Sequence, residues 1–364
     1  MNPNHYTVIM AGGVGTRFWP MSKTSHPKQF IDILGVGKTL IRLTFERFNK
    51  ICPAKNIYVV TNEIYKDLVL EQIPELTEKQ VLLEPARRNT APCVAYANYK
   101  IKEENPDAIV VVAPSDHIIL KEDEFVSDIE TAMEAAVNND WLLTLGIKPS
   151  RPDTGYGYIQ FDENTKPYLK NERLKKVKTF TEKPNLEIAK TFLESGDFLW
   201  NSGIFIWSLK SIMKAFEIHL DEVETLFKSG EGKYNSTGEV DFIAKTYAVC
   251  PNISIDYGIM EKADNVYVLS VDFGWSDLGT WGSLYAIHEK ETNGNAVVGK
   301  NAMLYDSKNC IVHVPDDKLV VLQGLDNYIV VEQDNTLLVC RMENEQQIRQ
   351  FVNDVKIEKG EEFI

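Results

Sequence analysis

The run AIVVVA at residues 108–113 is apolar without alternation, and no other stretch constrains the fold as much. A strand that is apolar on both faces must be covered on both, which is the condition of a central strand in a parallel α/β sheet. It ends in the polar PSDH of residues 114–117, at the carboxyl edge where α/β sheets carry their sites. Around it the first 150 residues alternate short β-branched runs, at 6–10, 56–60, 81–83 and 142–145, with longer periodic segments such as 40–48. Thr90 reads as a helix N-cap, with Pro92 in the tolerant first turn and Val94, Ala97 and Ile101 along one face.

Beyond residue 145 the texture changes. GYGYIQF at 155–161, the basic β-prone stretch 175–180, and the strand-like run 203–207 read together as an inserted lobe. From Gly294 onward, short runs at 296–298, 310–314, 319–322, 328–331 and 336–340 recur between Asn, Asp and Gly, then a helix around 345–355. The expected division is a catalytic domain over 1–290 and a small β appendage with a closing helix over 291–364.

A net charge of -14 repels polyanions over the surface as a whole, so nucleic acid and anionic membranes are poor partners, and anionic substrates need a local basic pocket. Five scattered cysteines without a C-x-x-C pair point to reduced thiols in a cytoplasm rather than to disulfides or zinc. No run is long enough to span a bilayer. Self-association as a homodimer stays open.

The strongest local signal is VIMAGGVGTRFWPMSKTSHPKQF at residues 8–30. Gly12, Gly13 and Gly15 allow close backbone approach, so the segment Ala11, Gly12, Gly13, Gly15 and Thr16 can cradle phosphate oxygens with its amides. Arg17 can fork onto a β- or γ-phosphate, and Lys28 is a mobile charge for the α-phosphate or the leaving group. A dinucleotide fingerprint would need glycine where Phe18 stands, and a Walker A loop ending at Gly37, Lys38 and Thr39 would need glycine at Asp32. The GVGKT segment is therefore a turn before a helix.

Asp116, just past the central strand, suits Mg²⁺, a hard cation that takes one or two carboxylates plus phosphate oxygens and water. Asp277, in the Gly- and Trp-rich FGWSDLGTW, is a second carboxylate. The motifs GYGYIQF, TEKP and WNSGIFIW bring Gly157, Glu182, Lys183 and Asn201 beside aromatic surface, a composition suited to a hydroxyl-rich phosphorylated ligand.

Taken in order, AGGVGTRFWPMSKTSHPKQF, EPARRNTAPC, PSDH, GYGYI, FTEKP, WNSGIFIW, SIDYGIMEK and FGWSDLGTW resemble the mannose-1-phosphate guanylyltransferases, a branch of the sugar nucleotidylyltransferases. The resemblance covers about residues 6–285. It implies an α/β, Rossmann-like nucleotidyltransferase core with a mixed sheet and a C-terminal appendage of left-handed β-helix type. It also implies transfer of GMP from GTP to mannose 1-phosphate, giving GDP-mannose and pyrophosphate. In that scheme Arg17 and Lys28 act at the triphosphate, and Asp116 and Asp277 hold Mg²⁺. Lys183 meets the sugar phosphate, and Glu182, Asn201 and Gly157 grip the mannose hydroxyls. Residues 84–92, with Arg88, Asn89 and Thr90, lie near guanine and its ribose.

Two other functions share parts of this pattern. A non-catalytic homologue that senses GDP-mannose need not keep Arg17, Lys28, Asp116 and Asp277 together, whereas a transferase for another nucleotide and hexose 1-phosphate would share the cradle. Some members continue into an isomerase domain. With the chain ending at Ile364, a single activity is the expectation.

Overall fold

The computed structural model describes residues 1–364 and resolves into two compact units. Unit 1 comprises Met1–Gly12, Thr44–Ser115 and Ile119–Trp275; unit 2 comprises Gly13–Leu43, Asp116–Ile118 and Ser276–Ile364.

In chain order the first strands are β1 (His5–Met10), β2 (Ile57–Asn62), β3 (Val81–Glu84), β4 (Ile109–Pro114), β5 (Ile118–Ile119) and β6 (Leu142–Ile147). They are followed by β7 (Tyr158–Phe161), β8 (Leu174–Thr181), β9 (Phe198–Ser208), β10 (Val266–Val271) and β11 (Trp275–Ser276). Unit 1 is built on a nine-stranded mixed sheet in the order β3-β2-β1-β4-β9-β6-β10-β8-β7. The strands β3, β2, β1 and β4 are mutually parallel, and β9 runs antiparallel between β4 and β6. Met10 and Pro114 are register partners, so the glycine-rich loop and the PSDH segment leave the sheet side by side.

The strand at residues 109–114 is central and buried, as its composition demands. The inserted lobe is corrected. Strands β7, β8 and β9 belong to the main sheet, with β9 near its middle. The polar alternation of β8 reflects a strand close to the sheet edge, where one face meets water. The helix Thr90–Glu104 also departs from the reading. Its N-cap is Asn89, whose side chain accepts from the Thr90 amide, and every residue from Ala91 to Ile101 is buried rather than a single stripe. It packs in one cluster with Val8, Val60, Val112, Phe205 and Trp207. Each such buried side chain stabilises the unit by about 1.5–3 kcal/mol.

Unit 2 carries the appendage: β12 (Ala296–Val298), β13 (Ala302–Tyr305), β14 (Ile311–His313), β15 (Val320–Gln323), β16 (Tyr328–Gln333) and β17 (Thr336–Arg341). Parallel β12, β14 and β16 stack Ala296 on Ile311 on Ile329, and parallel β13 and β15 form a second small sheet. β17 ends the first sheet antiparallel. Corners are made by Asp306, Asn309 and Asn327 at φ 49°, 55° and 64°, a region that Asn and Asp tolerate better than other side chains. Strand β13 was not legible in the sequence. The closing helix is Ile348–Lys359, preceded by a 3₁₀ turn at Met342–Gln347. All five cysteines are buried and unbridged. No helix is long and apolar enough to cross a membrane.

Candidate active site

The glycine-rich loop of unit 2 is anchored through its carbonyls. Gln29 donates to the Gly13 carbonyl and Ser22 to that of Val14, both at 2.9 Å. Gly15 has φ 58°, and a Cβ there would lie 2.6 Å from the Lys28 Cβ, so the backbone passes where no other residue fits. Lys28 follows in a short 3₁₀ turn, and its side chain runs into the interior, 5% exposed.

The Lys28 ammonium is the hub of this unit. It donates to the Asp277 carbonyl at 3.1 Å and the Leu278 carbonyl at 2.8 Å, and it pairs with Asp116 Oδ2 at 2.9 Å. An ammonium has three donors, and these are three acceptors. Two consecutive carbonyls reach one nitrogen because buried Leu278 adopts φ 47°, a conformation costing about 1–3 kcal/mol for a non-glycine residue. The loop is braced on both sides. The Asp277 carboxylate accepts from the Gly279 amide at 3.2 Å, and Thr280 and Ser283 form a capping box for the helix Trp281–Ile287. Trp281 packs against Phe18 with ring centroids 5.1 Å apart, and Arg17 donates to the Gly279 carbonyl at 3.4 Å. Arg17 and Lys28 therefore meet the loop that carries Asp277, and Asp116 joins them through Lys28, although 249 residues separate Lys28 from Asp277. Burial would raise the Asp116 pKa, but Lys28, with help from His117, overrides it and holds the carboxyl below its usual range.

These donors fit a hard divalent ion. Asp116 and Asp277 offer carboxylate oxygens, and no group of three or more His, Cys, Asp or Glu is assembled as an all-protein cage. Such an ion would complete its shell from phosphate and water, as Mg²⁺ does at nucleotide sites.

In unit 1 a second group forms around the ends of β8 and β9. Glu182 and Lys183 form an ion pair directly after β8, with Lys183 at φ 47°. At Gly157 a Cβ would lie 2.5 Å from Glu182 Oε2 and push that carboxylate aside, and the Gly157 carbonyl accepts from the Asn201 amide at 2.8 Å. The Asn201 side chain donates to Asp256 Oδ1 at 2.9 Å. Burial, reinforced by the Glu182 charge, pushes the Asp256 carboxyl up to about 6.

The stretch after β3 divides its work. Arg88 donates to the Tyr247 and Ala248 carbonyls, at 3.0 and 3.2 Å, and so closes the end of the helix Glu239–Val249. Thr90 accepts from the Ile255 amide at 2.9 Å. The group left chemically tense is Glu84. Burial pushes its carboxyl up to about 7 against the Tyr247 hydroxyl bond at 3.0 Å, and its Oε2 lies 3.7 Å from where a Gly12 Cβ would stand. Sequence reasoning placed residues 84–92 near guanine without singling out the Glu84 carboxyl, and gave Asp256 no role. Their signal was a carboxylate at a strand's carboxyl end and one inside SIDYGIMEK.

The Nucleotidyl transferase profile matches residues 6–294. The chain belongs to the nucleotidyl transferase family. Residues 300–355 match the MannoseP isomerase/GMP-like beta-helix domain, which fits the stacked parallel strands of the appendage. The mannose-1-phosphate guanylyltransferase of Salmonella montevideo is 36% identical over 98% of this chain and 75% of its own length. Alginate biosynthesis protein AlgA of Pseudomonas aeruginosa is 34% identical, over 96% and 71% respectively. The crystal structure of a mannose-1-phosphate geranyltransferase from Thermus thermophilus matches with a TM-score of 0.87 at 27% identity, covering 97% of this chain and 99% of that one. Nucleotidyl transferases generally use a divalent metal.

Proposed function

We propose that this nucleotidyl transferase joins GTP and mannose 1-phosphate into GDP-mannose and pyrophosphate, in the cytoplasm. The observation that carries the reading is that Arg17 and Lys28 bond the loop 277–279, which bears Asp277, with Asp116 paired to Lys28, in a chain that is similar over 98% of its length to a mannose-1-phosphate guanylyltransferase. Five buried thiols suit a reducing compartment.

A phosphate oxygen of mannose 1-phosphate attacks the α-phosphorus in line, and pyrophosphate leaves. No covalent enzyme intermediate is required, because phosphoryl-type transfer needs alignment and charge neutralisation above all. Arg17 and the amides of residues 11–16 bind the triphosphate. Lys28 keeps Asp116 and the loop 277–278 in place and offers its charge to the reacting phosphate. Asp116 and Asp277 would hold Mg²⁺, which when bound offsets phosphate charge. Lys183 receives the sugar phosphate, while Glu182, Asn201 and Gly157 address the mannose hydroxyls. Ionised Glu84 can accept from both the N1–H and the N2 amino group of guanine, a pair of donors that adenine and the pyrimidines do not present together. Arg88, Asn89 and Thr90 support this face through the backbone contacts described above.

Pyrophosphate release by the purified protein with a panel of nucleotides and hexose 1-phosphates tests the reading. The expected result is fastest release with GTP plus mannose 1-phosphate and Mg²⁺. Equal or faster release with UTP plus glucose 1-phosphate would overturn the specificity, and binding of GDP-mannose without any release would favour a sensor.

A further inference from the structure

The two ends of the Asn201 side-chain amide face different partners. Its Oδ1 accepts from the Gly203 amide at 3.2 Å and shares the one hydrogen of the Thr144 hydroxyl, 3.0 Å away, with the Ile204 carbonyl at 3.1 Å. A backbone amide only donates, so the Gly203 contact fixes which end of the Asn201 amide carries oxygen. At the other end, Nδ2 donates one hydrogen to Asp256 Oδ1 at 2.9 Å. That leaves a single Nδ2–H. Asn201 can therefore give a hydrogen to a sugar oxygen from Nδ2, while its own oxygen is turned to the Gly203 amide and the Thr144 hydroxyl.

Asp256 is itself held in an uncommon piece of backbone. It opens the five-residue π turn Asp256–Met260, a form of helix that clusters at functional positions. The residue before it, Ile255, is tied by its amide to Thr90 Oγ1. The charged groups that act on the Asp256 carboxyl are Glu182 and Lys183, and Glu182 acts in turn on Glu261.

We propose that Asp256 is a positioning residue for the sugar phosphate: its carboxylate holds the Asn201 amide in the orientation that makes Asn201 a donor, leaving Glu182 to accept from sugar hydroxyls. The two side chains then read a hydroxyl-bearing ring in opposite senses, one by its oxygen lone pairs and the other by its hydrogens. Without the carboxylate, the Nδ2 end of Asn201 loses its only charged partner and the amide is held from the oxygen end alone. This inference rests on the proposed function, in which Asn201 and Glu182 meet mannose.

The test is steady-state kinetics of the full chain, wild type against Asp256→Asn and Asp256→Ala, varying mannose 1-phosphate and GTP separately between pH 5 and 8. The expected result is a rise of about tenfold in the mannose 1-phosphate KM for Asp256→Ala and a smaller rise for Asp256→Asn, whose amide oxygen still accepts from Asn201. kcat and the GTP KM should stay within about twofold. In the wild type the mannose 1-phosphate KM should climb as pH falls through about 6, where Asp256 gains its proton. The substrate phosphate titrates nearby, so the part of the climb that Asp256→Asn abolishes is the part assigned to Asp256. An unchanged KM in both variants, equal rises in both substrates' KM values, or identical pH limbs would each overturn the proposal. Should Asp256→Asn not fold, Asp256→Ser removes the charge while keeping a small polar group. Wild-type protein that fails to turn over GTP and mannose 1-phosphate would overturn the functional reading instead, so the two failures are distinguishable.

Discussion

The two candidate clusters, one in each unit, hold their charges in opposite ways. Around Lys28 in unit 2 the polar groups satisfy one another: the ammonium has three acceptors, and its neighbour Asp116 is held below the normal carboxyl range. In unit 1 the carboxyls of Glu84 and Asp256 are pushed up, to about 7 and about 6, because burial is only partly answered by donors. A balanced cluster is pre-organised for neutralising charge that develops during reaction, since its dipoles need not reorient. An under-satisfied carboxylate gains most from a ligand that brings donors, which suits recognition of a base edge or a sugar hydroxyl. On the proposed function, the Lys28 cluster serves the chemistry and the Glu84 and Asp256 groups serve selectivity.

The largest expected effect breaks the balanced cluster. Asp116→Asn and Asp277→Asn should each lower kcat about a hundredfold or more, with far smaller losses in thermal stability. The double variant should be little worse than the worse single one, because the two carboxylates act as one group. Magnesium titrations with GTP and mannose 1-phosphate check this. Full activity of Asp277→Asn at low magnesium, beside a dead Asp116→Asn, would make Asp277 a structural loop residue.

A middle-sized effect comes from the recognition side. Gly157→Ala places a Cβ 2.5 Å from Glu182 Oε2 and must displace that carboxylate. The expected outcome is a mannose 1-phosphate KM raised about tenfold with kcat nearly kept, the size of one lost charge-assisted hydrogen bond. A fall in kcat with an unchanged KM would move Glu182 from recognition to chemistry.

The last effect is on stability and is read by melting rather than by turnover. The folded-state pKa of Glu84, about 7, lies above that of the unfolded chain, so the folded protein binds the extra proton between about 4.5 and 7. Its contribution to stability is therefore greatest at low pH and is lost as pH rises through that window, by at most about 3 kcal/mol. Glu84→Gln should melt higher than wild type at pH 8 and differ little at pH 5. Its GTP KM should also lose the rise that the wild type shows below pH 7. A variant that melts lower at pH 8 would mean that the carboxylate is well satisfied.

How much of this was legible in the sequence depended on what set each feature. The buried central strand, the glycine-rich loop and the acidic residues after strands were readable, because composition and local geometry determine them. The placement of β9 in the middle of the sheet was not, since an antiparallel strand between β4 and β6 is chosen by partners distant in sequence. Asn89 rather than Thr90 caps its helix because Thr90 Oγ1 is engaged with Ile255, a contact across 165 residues. The positive φ of Leu278 and the turning of two carbonyls onto Lys28 are likewise tertiary. Asp256 stayed hidden because its chemistry comes from burial and from Glu182, neither of which a motif displays.

The division of labour between the units is tested most directly by two lysines in one assay. Lys28→Ala and Lys183→Ala should be compared for kcat and for the mannose 1-phosphate KM, with GTP saturating. Lys28→Ala should lose turnover by about a hundredfold with that KM nearly unchanged, and Lys183→Ala should raise the KM about tenfold while keeping most of its kcat. Loss of the same parameter in both variants, or an unchanged KM in Lys183→Ala, would contradict the account.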